Sequence, residues 1–173
     1  ELAQQFGHTL RPRRSGLVPL TLSGKAQDCW KNLSGLSFPV EVSTQAASFS
    51  NAMLLTHRGL SGPAILQISN YWTEGEKLQI NLLPETDAHQ FLQQRRTRQA
   101  DAELKNVLCE YLPRRFAQTF CEQFAPSLPM RQYSDKALAQ VAQALQNWPI
   151  QADGTEGYRT AEVTLGGVDT KGV

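Results

Sequence analysis

The spacing of hydrophobic residues changes twice along this chain, and that change limits the folds open to it. Up to residue 84 apolar residues form short runs or alternate with polar ones, as in β-strands. From 85 to 148 they recur at helical spacing, and from 149 to 173 a polar loop leads into a last strand-like run. We therefore predict an α+β fold, in which a barrel-like β domain (1–84) is interrupted by a small helical bundle (85–148). A loop and return strand (149–173) would rejoin the β part.

The β part contains four runs that are typical of strands. A polar stretch, Ser48–Asn51, lies between two of them and predicts a hairpin turn, and Ala161–Leu165 predicts the return strand. The four runs are Leu17–Leu22, Val40–Thr44, Ala52–His57 and Leu78–Leu82.

The middle part predicts three or four short helices, which make a small bundle. The clearest start signal is Ser134, a good N-cap residue, followed by Asp135 in the first turn. Pro113 ends one helix because proline lacks a backbone N–H. The predicted helices are Asp87–Arg96, Leu104–Leu112, Phe116–Phe124 and a last one from Ser134 to Trp148.

Composition and charge exclude several classes of protein. The chain has 173 residues, a formal net charge of +1 and a mean hydropathy of −0.38, which excludes fibrous and integral membrane proteins. The balanced charge gives no reason to expect nucleic acid or a membrane as a partner. The chain begins at Glu1 with no signal-like segment, so we predict a cytoplasmic location and an excised domain.

The cysteines and histidines predict neither disulfides nor a metal site. Cys29, Cys109 and Cys121 include no CxxC pair, and the last two fall on apolar helical faces where buried, inert thiols are expected. The three histidines lie far apart, without an HxH or HxxxH pair. We therefore expect no bound metal.

The segment Thr56–Pro63, THRGLSGP, is the densest candidate site. A buried strand arrives at His57, two glycines permit a tight turn, and Pro63 suits the first position of a helix. A helix start exposes N–H groups that bind anions, which makes His57, Arg58, Ser61 and Gly62 candidate ligand contacts. The plainer alternative is that Ser61 caps the helix and His57 pairs with a backbone carbonyl. The string is one residue short of G-x-S-x-G, which disfavours a serine hydrolase.

Other candidate features are weaker. Gly166 and Gly167 follow the last strand-like run and predict either a close approach to a ligand or a plain turn. The basic clusters Arg11–Arg14, Arg95–Arg98 and Arg114–Arg115 lack interleaved aromatic residues and are interpreted as solvated surface. Neither G-x-G-x-x-G nor G-x-x-x-x-G-K-[ST] occurs, so no phosphate-binding loop is recognised.

Five segments, taken together, resemble the YhiN-like flavoprotein family, the BaiN/RdsA-type NAD(P)/FAD-dependent oxidoreductases. The most specific is THRGLSGPAILQIS, Thr56–Ser69. The chain departs from the family pattern at Asn51-Ala52, where a glycine and an acidic residue are commoner. The other four segments are Phe6–His8 with Leu17–Leu20, Leu82–Pro84, Leu112-Pro113 and Ala161–Val168.

The resemblance implies that this chain is the insert domain of a longer flavoprotein. That domain would cover the flavin and shape the substrate pocket, with the flavin domain of the same polypeptide as its partner. It implies FAD in the parent, not held by this chain alone, NAD(P)H as co-substrate and a small organic substrate. His57 and Arg58 are then candidate catalytic residues, and Ser61, Gly62, Gly166 and Gly167 candidate cofactor contacts. The face exposed by excision would also permit dimerisation.

Two other functions stay open at this stage. The first is a stand-alone ligand- or partner-binding module without catalytic activity, since barrel-like domains serve many purposes. The second is a nucleic-acid binder that uses the region Arg95–Arg98.

Overall fold

A computed structural model describes residues 2–170, except for the side chains of Lys25 and Ala26. Three short 3-10 turns occur at Lys31–Leu33, Met130–Gln132 and Gly157–Arg159. The α-helices are α1 Leu2–Gln5, α2 Gly24–Trp30, α3 Pro63–Ser69, α4 Ala88–Arg98, α5 Leu104–Leu108, α6 Arg114–Phe124 and α7 Asp135–Gln146. The strands are β1 Leu10–Gly16, β2 Leu20–Thr21, β3 Ser37–Ser43, β4 Ser48–Leu55, β5 Gly59–Ser61, β6 Lys77–Asn81, β7 Trp148–Gln151, β8 Gly154–Thr155 and β9 Val163–Val168.

Seven strands form one antiparallel sheet that closes into a barrel. Its order is β7-β6-β3-β4-β5-β2-β8, so β7 and β8 are the two edges. Laid flat, strands six positions apart would be separated by about 29 Å. Yet only residues 152–153 join these edges, and so short a link spans about 11 Å. The sheet must therefore curl until its edges meet, which confirms the predicted α+β class and the barrel.

The barrel interior is filled by alternate residues of its long strands. In β3 and β6 the inward positions are Val40, Val42, Leu78 and Ile80, all fully buried. Helix α3 packs against β3 and β4 with three fully buried apolar residues, Ala64, Ile65 and Ile68. The period-two pattern in the sequence thus reports the barrel core directly.

Helices α4 to α7 are inserted between the neighbouring strands β6 and β7. The chain leaves the barrel at Leu82, just after β6, and returns to it at β7. The Leu82 N–H donates to the carbonyl oxygen of Leu145, near the end of α7, at 2.8 Å. The inserted helices lie within the predicted stretch 85–148, and the division of the chain into units at 84 and 148 stays a prediction.

Four aromatic rings join the barrel to the inserted helices. The ring of Phe116 on α6 lies 5.2 Å from that of Trp30, 4.7 Å from that of Phe38 and 5.8 Å from that of Trp148. Trp30 and Trp148 are themselves 4.8 Å apart. All four side chains are nearly or wholly buried, so the cluster fixes α6 against the barrel.

The last strand returns to a strand of the predicted β part, 1–84, but outside the barrel sheet. β9 pairs with β1 in a separate two-stranded ribbon, and β7 and β8 are the strands that return to the barrel. The ribbon is anchored at its base because Asn70 Oδ1 accepts from the Leu17 N–H at 2.8 Å, and Ser69 Oγ accepts from the Val18 N–H at 3.1 Å. The backbone N–H groups of Leu17 and Val18 are therefore bonded to side chains at the end of α3 and not to a neighbouring strand.

The same anchor explains why the first predicted strand is wrong in extent. Of Leu17–Leu22 only Leu20–Thr21 is a strand, and Leu17 has a left-handed backbone with φ 45°. The predicted turn at Ser48–Asn51 is also wrong, since these residues pair with β3 along a solvent-facing stretch of β4. The turn lies at residues 44–47, where Thr44 Oγ1 accepts from the backbone N–H groups of Ala46 and Ala47.

Among the helices, the predicted N-cap at Ser134 is confirmed, Asp87 proves to be a second side-chain cap that was not predicted, and two boundaries are wrong. Ser134 Oγ accepts from the Ala137 N–H at 3.1 Å, and Asp87 Oδ1 accepts from the Gln90 N–H at 2.9 Å. The predicted helix 104–112 stops at Leu108 and continues as turns to Pro113. Trp148 starts β7 instead of ending α7, because the helix stops at Gln146 and the residue pairs with Ile80.

Solvent exposure distinguishes two of the cysteines, of which only one was predicted correctly. Cys121 on α6 is 4% exposed, and burial raises the pKa of its thiol to about 11. Cys109 lies in the turns after α5 and is exposed, which corrects the prediction of a buried thiol. Helix α5 ends at Leu108, so Cys109 does not lie on the buried face of a helix as predicted.

Cys109 should therefore react with Ellman's reagent at pH 8 while Cys121 stays protected until the protein unfolds. Burial excludes the reagent from Cys121, and the raised pKa keeps its thiol protonated. Peptide mass spectrometry after labelling, with and without urea, measures this. Equal labelling of both thiols in the native protein would contradict it.

The ring cluster predicts a large effect of Phe116→Ala on stability. Removing this fully buried ring should lower the free energy of unfolding by about 3–5 kcal/mol. Phe124→Ala, on the same helix but 44% exposed, is the matched control and should cost about 1 kcal/mol or less. Urea denaturation of both variants measures the difference, and similar midpoints would contradict the role given to the cluster.

Candidate functional site

His57 and Arg58 occupy the tip of a tight hairpin between β4 and β5. The Thr56 N–H donates to the Gly59 carbonyl at 2.8 Å, and Thr56 Oγ1 accepts from the N–H groups of Arg58 and Gly59 at 3.3 and 3.0 Å. The turn leaves both tip side chains exposed. The predicted strand Ala52–His57 therefore ends at Leu55, and the short strand β5 separates the turn from α3.

The two glycines of this segment are needed for contacts inside the barrel. A Cβ on Gly59, which has φ +154°, would overlap the carbonyl oxygen of Leu20 on β2. A Cβ on Gly62, which has φ +88°, would lie 2.8 Å from the Leu54 nitrogen. Close packing of three strands thus accounts for the glycines without a ligand.

Ser61 does not cap α3, contrary to the plainer alternative. The N-cap is Gly62, and no side-chain cap hydrogen bond is made there. Pro63 does occupy the start of the helix, as predicted. The helix has only seven residues and is largely buried against the barrel, so its start makes a poor anion site.

The hairpin tip is held by residues distant in sequence. Arg58 Nη1 lies 3.9 Å from Glu156 Oε2, and the Glu156 side chain is only 11% exposed. Gln27 on α2 donates from Nε2 to the His57 carbonyl at 3.1 Å. The arrangement makes a rim where α2, the hairpin and the strand β8 meet, with an exposed imidazole and a guanidinium on it. Sequence reasoning missed Glu156 and Gln27 because no local pattern marks them.

The second pair of predicted contacts lies elsewhere, on the ribbon. Gly166 has φ +83°, and a Cβ there would overlap the carbonyl oxygen of Pro12 across the ribbon. Gly167, with φ +112°, pairs with Arg11. Among residues 2–170 no hydrogen bond or ion pair joins these glycines to the hairpin tip.

The ribbon also brings the two described ends of the domain together. Leu10 of β1 pairs with Val168 of β9. The two described ends of the domain therefore lie side by side at its surface, as chain termini often do.

A third candidate surface lies on the inserted helices. Helices α5 and α6 are separated by two turns, with Lys105 on the first helix and Arg114 at the start of the second. These two side chains, with Asn106, Cys109 and Gln118, line a cavity of about 110 Å³.

The described part of the chain contains neither a cluster of metal-binding side chains nor a helix that could span a membrane. No group of three or more His, Cys, Asp or Glu residues there could hold a metal ion. No helix in residues 2–170 is long and apolar enough to cross a membrane.

Comparison with known proteins agrees with this geometry. The family model described as "HI0933-like protein barrel and H2TH domain" matches residues 14–163. The chain belongs to the HI0933-like family. The closed barrel and the helix pair α5–α6 fit the two parts of that description.

Two curated relatives confirm the resemblance drawn from the sequence motifs. Ribosomal RNA dihydrouridine synthase of Escherichia coli is 42% identical over 173 residues, which covers 98% of this chain and 43% of the relative. The protein of the same name from Haemophilus influenzae is 39% identical, covering 99% of this chain and 43% of the relative. The HI0933-like chain thus spans less than half the length of these relatives.

The glycine contacts of this HI0933-like domain give a direct test. Gly59→Ala should lower the free energy of unfolding by at least about 2 kcal/mol, because its Cβ meets strand backbone that cannot move aside. Gly154→Ala is the control, since the nearest atom to its Cβ is Thr21 Oγ1 at 3.6 Å. Thermal unfolding followed by circular dichroism compares them. Equal stabilities would show that Gly59 is free of close packing.

Proposed function

We propose that this chain is the inserted domain of a longer FAD-dependent enzyme that reduces a uridine of ribosomal RNA. The observation that carries the proposal is the 42% identity over 98% of the chain to a ribosomal RNA dihydrouridine synthase. The side-by-side ends on β1 and β9 support it, because an inserted domain needs that geometry.

The chain does not supply the cradle for FAD in this proposal. It lacks G-x-G-x-x-G, and the positive φ of Gly62 is accounted for by close contact with the backbone of β4. The rest of the longer polypeptide would hold the flavin, with NAD(P)H as the source of reducing equivalents. Contact of Ser61, Gly62, Gly166 and Gly167 with the flavin stays a prediction.

The substrate proposed here differs from the one expected from the sequence. The sequence suggested a small organic substrate and no nucleic acid, whereas the printed names of both relatives specify ribosomal RNA. A nearly neutral chain is compatible with RNA binding when cations lie together locally. Beside the α5–α6 turns, Arg114 lies near Lys105, which pairs with Glu103 at 2.9 Å. The domain would then position RNA as well as cover the active site.

His57 and Arg58 are proposed to act on the uracil ring. Reduction adds a hydride and a proton across the C5=C6 double bond of uracil. When hydride arrives at C6, negative charge develops on the O4 carbonyl oxygen, and the proton then goes to C5. An exposed guanidinium or imidazole near O4 would stabilise that charge. The ion pair of Arg58 with Glu156, at 3.9 Å, is long enough to yield to a substrate carbonyl.

The proposal is tested on the longer protein that carries this chain. Arg58→Ala and His57→Ala, made separately, should each lower the rate of dihydrouridine formation in ribosomal RNA. The variant with the larger effect should lower that rate by about 100-fold. The readout is mass spectrometry of digested RNA, with FAD content as a check on folding. Lys136→Ala, at an exposed residue on α7, should leave the rate unchanged.

Three outcomes would overturn parts of this function. Full activity in both variants would remove His57 and Arg58 from the site. Tight binding of FAD by this chain alone would show a flavin site within it and contradict the inserted-domain role. Binding of another ligand by a longer protein without FAD would favour the stand-alone binding module instead.

A further inference from the structure

The β1–β9 ribbon carries an open cleft of about 630 Å³ that none of the predicted site residues enters. It is lined by Arg13 on β1, Thr164 on β9 and Tyr158 in the 3-10 turn before β9. The cleft thus joins a cation, a hydroxyl and an aromatic ring on the element that links this domain to the rest of the proposed enzyme.

A bulge in the ribbon places Arg13 there. Arg11 pairs with Gly167 and Arg14 with Leu165, so Pro12 and Arg13 both lie opposite Gly166. A bulge adds a residue to one strand and redirects its side chain. Only glycine fits at position 166, because a Cβ would overlap the carbonyl oxygen of Pro12.

The arginines of the ribbon have different partners. Arg11 pairs with Asp169 at 2.9 Å, and Arg14 donates to the carbonyl oxygens of Ser69 and Asn70. Arg13 makes no side-chain hydrogen bond or ion pair within residues 2–170, and neither does Arg159 beside Tyr158. These two guanidinium groups are therefore available to an anion.

The carboxylates of the neighbouring segment are mostly occupied. Glu156 pairs with Arg58, and Asp169 pairs with Arg11. Of residues 156–169 this leaves Glu162, which is exposed. Arg13 and Arg159 thus outnumber the one remaining carboxylate, which favours an anionic ligand.

Tyr158 adds the second recognition element. Its side chain is 59% exposed, among the most exposed large apolar groups in the described chain. An aromatic ring left in water beside an arginine fits a nucleobase, which stacks on the ring while its phosphate meets the guanidinium. Thr164 adds a hydroxyl for a ribose or phosphate oxygen.

We infer that this cleft binds one nucleotide of the substrate RNA near the target uridine, with its phosphate on Arg13 and its base stacked on Tyr158. The inference rests on the proposed function and adds to it a second RNA contact, away from the α5–α6 turns. In the proposed enzyme the ribbon, which pairs the two described ends, would connect to the rest of the polypeptide, so a nucleotide held here would lie at the domain junction, where substrate sites are favoured.

The test uses the longer protein and a fluorescein-labelled RNA 12-mer rich in uridine, with binding followed by anisotropy at several KCl concentrations. Arg13→Ala should weaken binding and reduce the slope of log K against log [salt] by about 1. Tyr158→Ala should weaken binding about tenfold without changing the slope, and Tyr158→Phe should bind like the natural protein, because stacking needs only the ring.

Lys136→Ala and Tyr71→Ala are the matched controls, as an exposed cation on α7 and an exposed tyrosine just after α3, both outside the proposed RNA contacts. Both should bind RNA normally. If Arg13→Ala and Tyr158→Ala also bind normally while the natural protein binds RNA, the inference fails and the proposed function stands. If Arg13→Ala and Tyr158→Ala instead lose FAD or unfold, these side chains pack against the remaining polypeptide. The inference then fails. If the natural protein binds no RNA and reduces no uridine, the proposed function fails as well.

Discussion

The packing of Phe116 against Trp30, Phe38 and Trp148 is the interaction on which the rest of this structure depends. The four rings come from three parts of the barrel side and one inserted helix, at ring distances of 4.7 to 5.8 Å. They fix α6, and through α6 the shorter helix α5 and its turns. The cavity lined by Lys105 and Arg114 beside those turns therefore has a defined position relative to the barrel, which a flexible tether would not provide.

The strands of the barrel and those of the ribbon are stabilised in different ways. The seven-stranded sheet curls until its edge strands, β7 with four residues and β8 with two, are joined by residues 152–153 alone, and such short edges offer little backbone for pairing with another chain. The ribbon is held by hydrogen bonds to Ser69 and Asn70 at the end of α3. Their side chains accept from the Val18 and Leu17 N–H groups, and Arg14 of β1 donates to their carbonyl oxygens. Because the base of the ribbon is hydrogen-bonded to α3, the bulge that carries Arg13 has a fixed position.

The candidate site shows where reasoning from sequence reached its limit. The density of glycine and polar residues at Thr56–Pro63 correctly marked an unusual backbone, but the cause at Gly59 and Gly62 is contact with β2 and β4. Neither neighbour can be identified from the segment itself. Glu156 and Gln27 were missed for the same reason, since they reach the hairpin tip across 98 and 30 residues. Arg13 was noted only as part of a basic cluster, because the partners that occupy Arg11 and Arg14 are long-range.

The sequence by itself determined the elements whose causes are local. Period-two alternation marked the strands around Val40 and Leu78, and Ser134 and Asp87 marked helix starts because a side-chain cap needs only a backbone three residues away. The family motifs also lie in the sequence. The tertiary structure alone decided that β7 and β8 meet to close the barrel, that β9 pairs with β1, and that Trp148 begins a strand. These outcomes depend on pairings between distant residues, whose free energy exists only once the chain has brought them together.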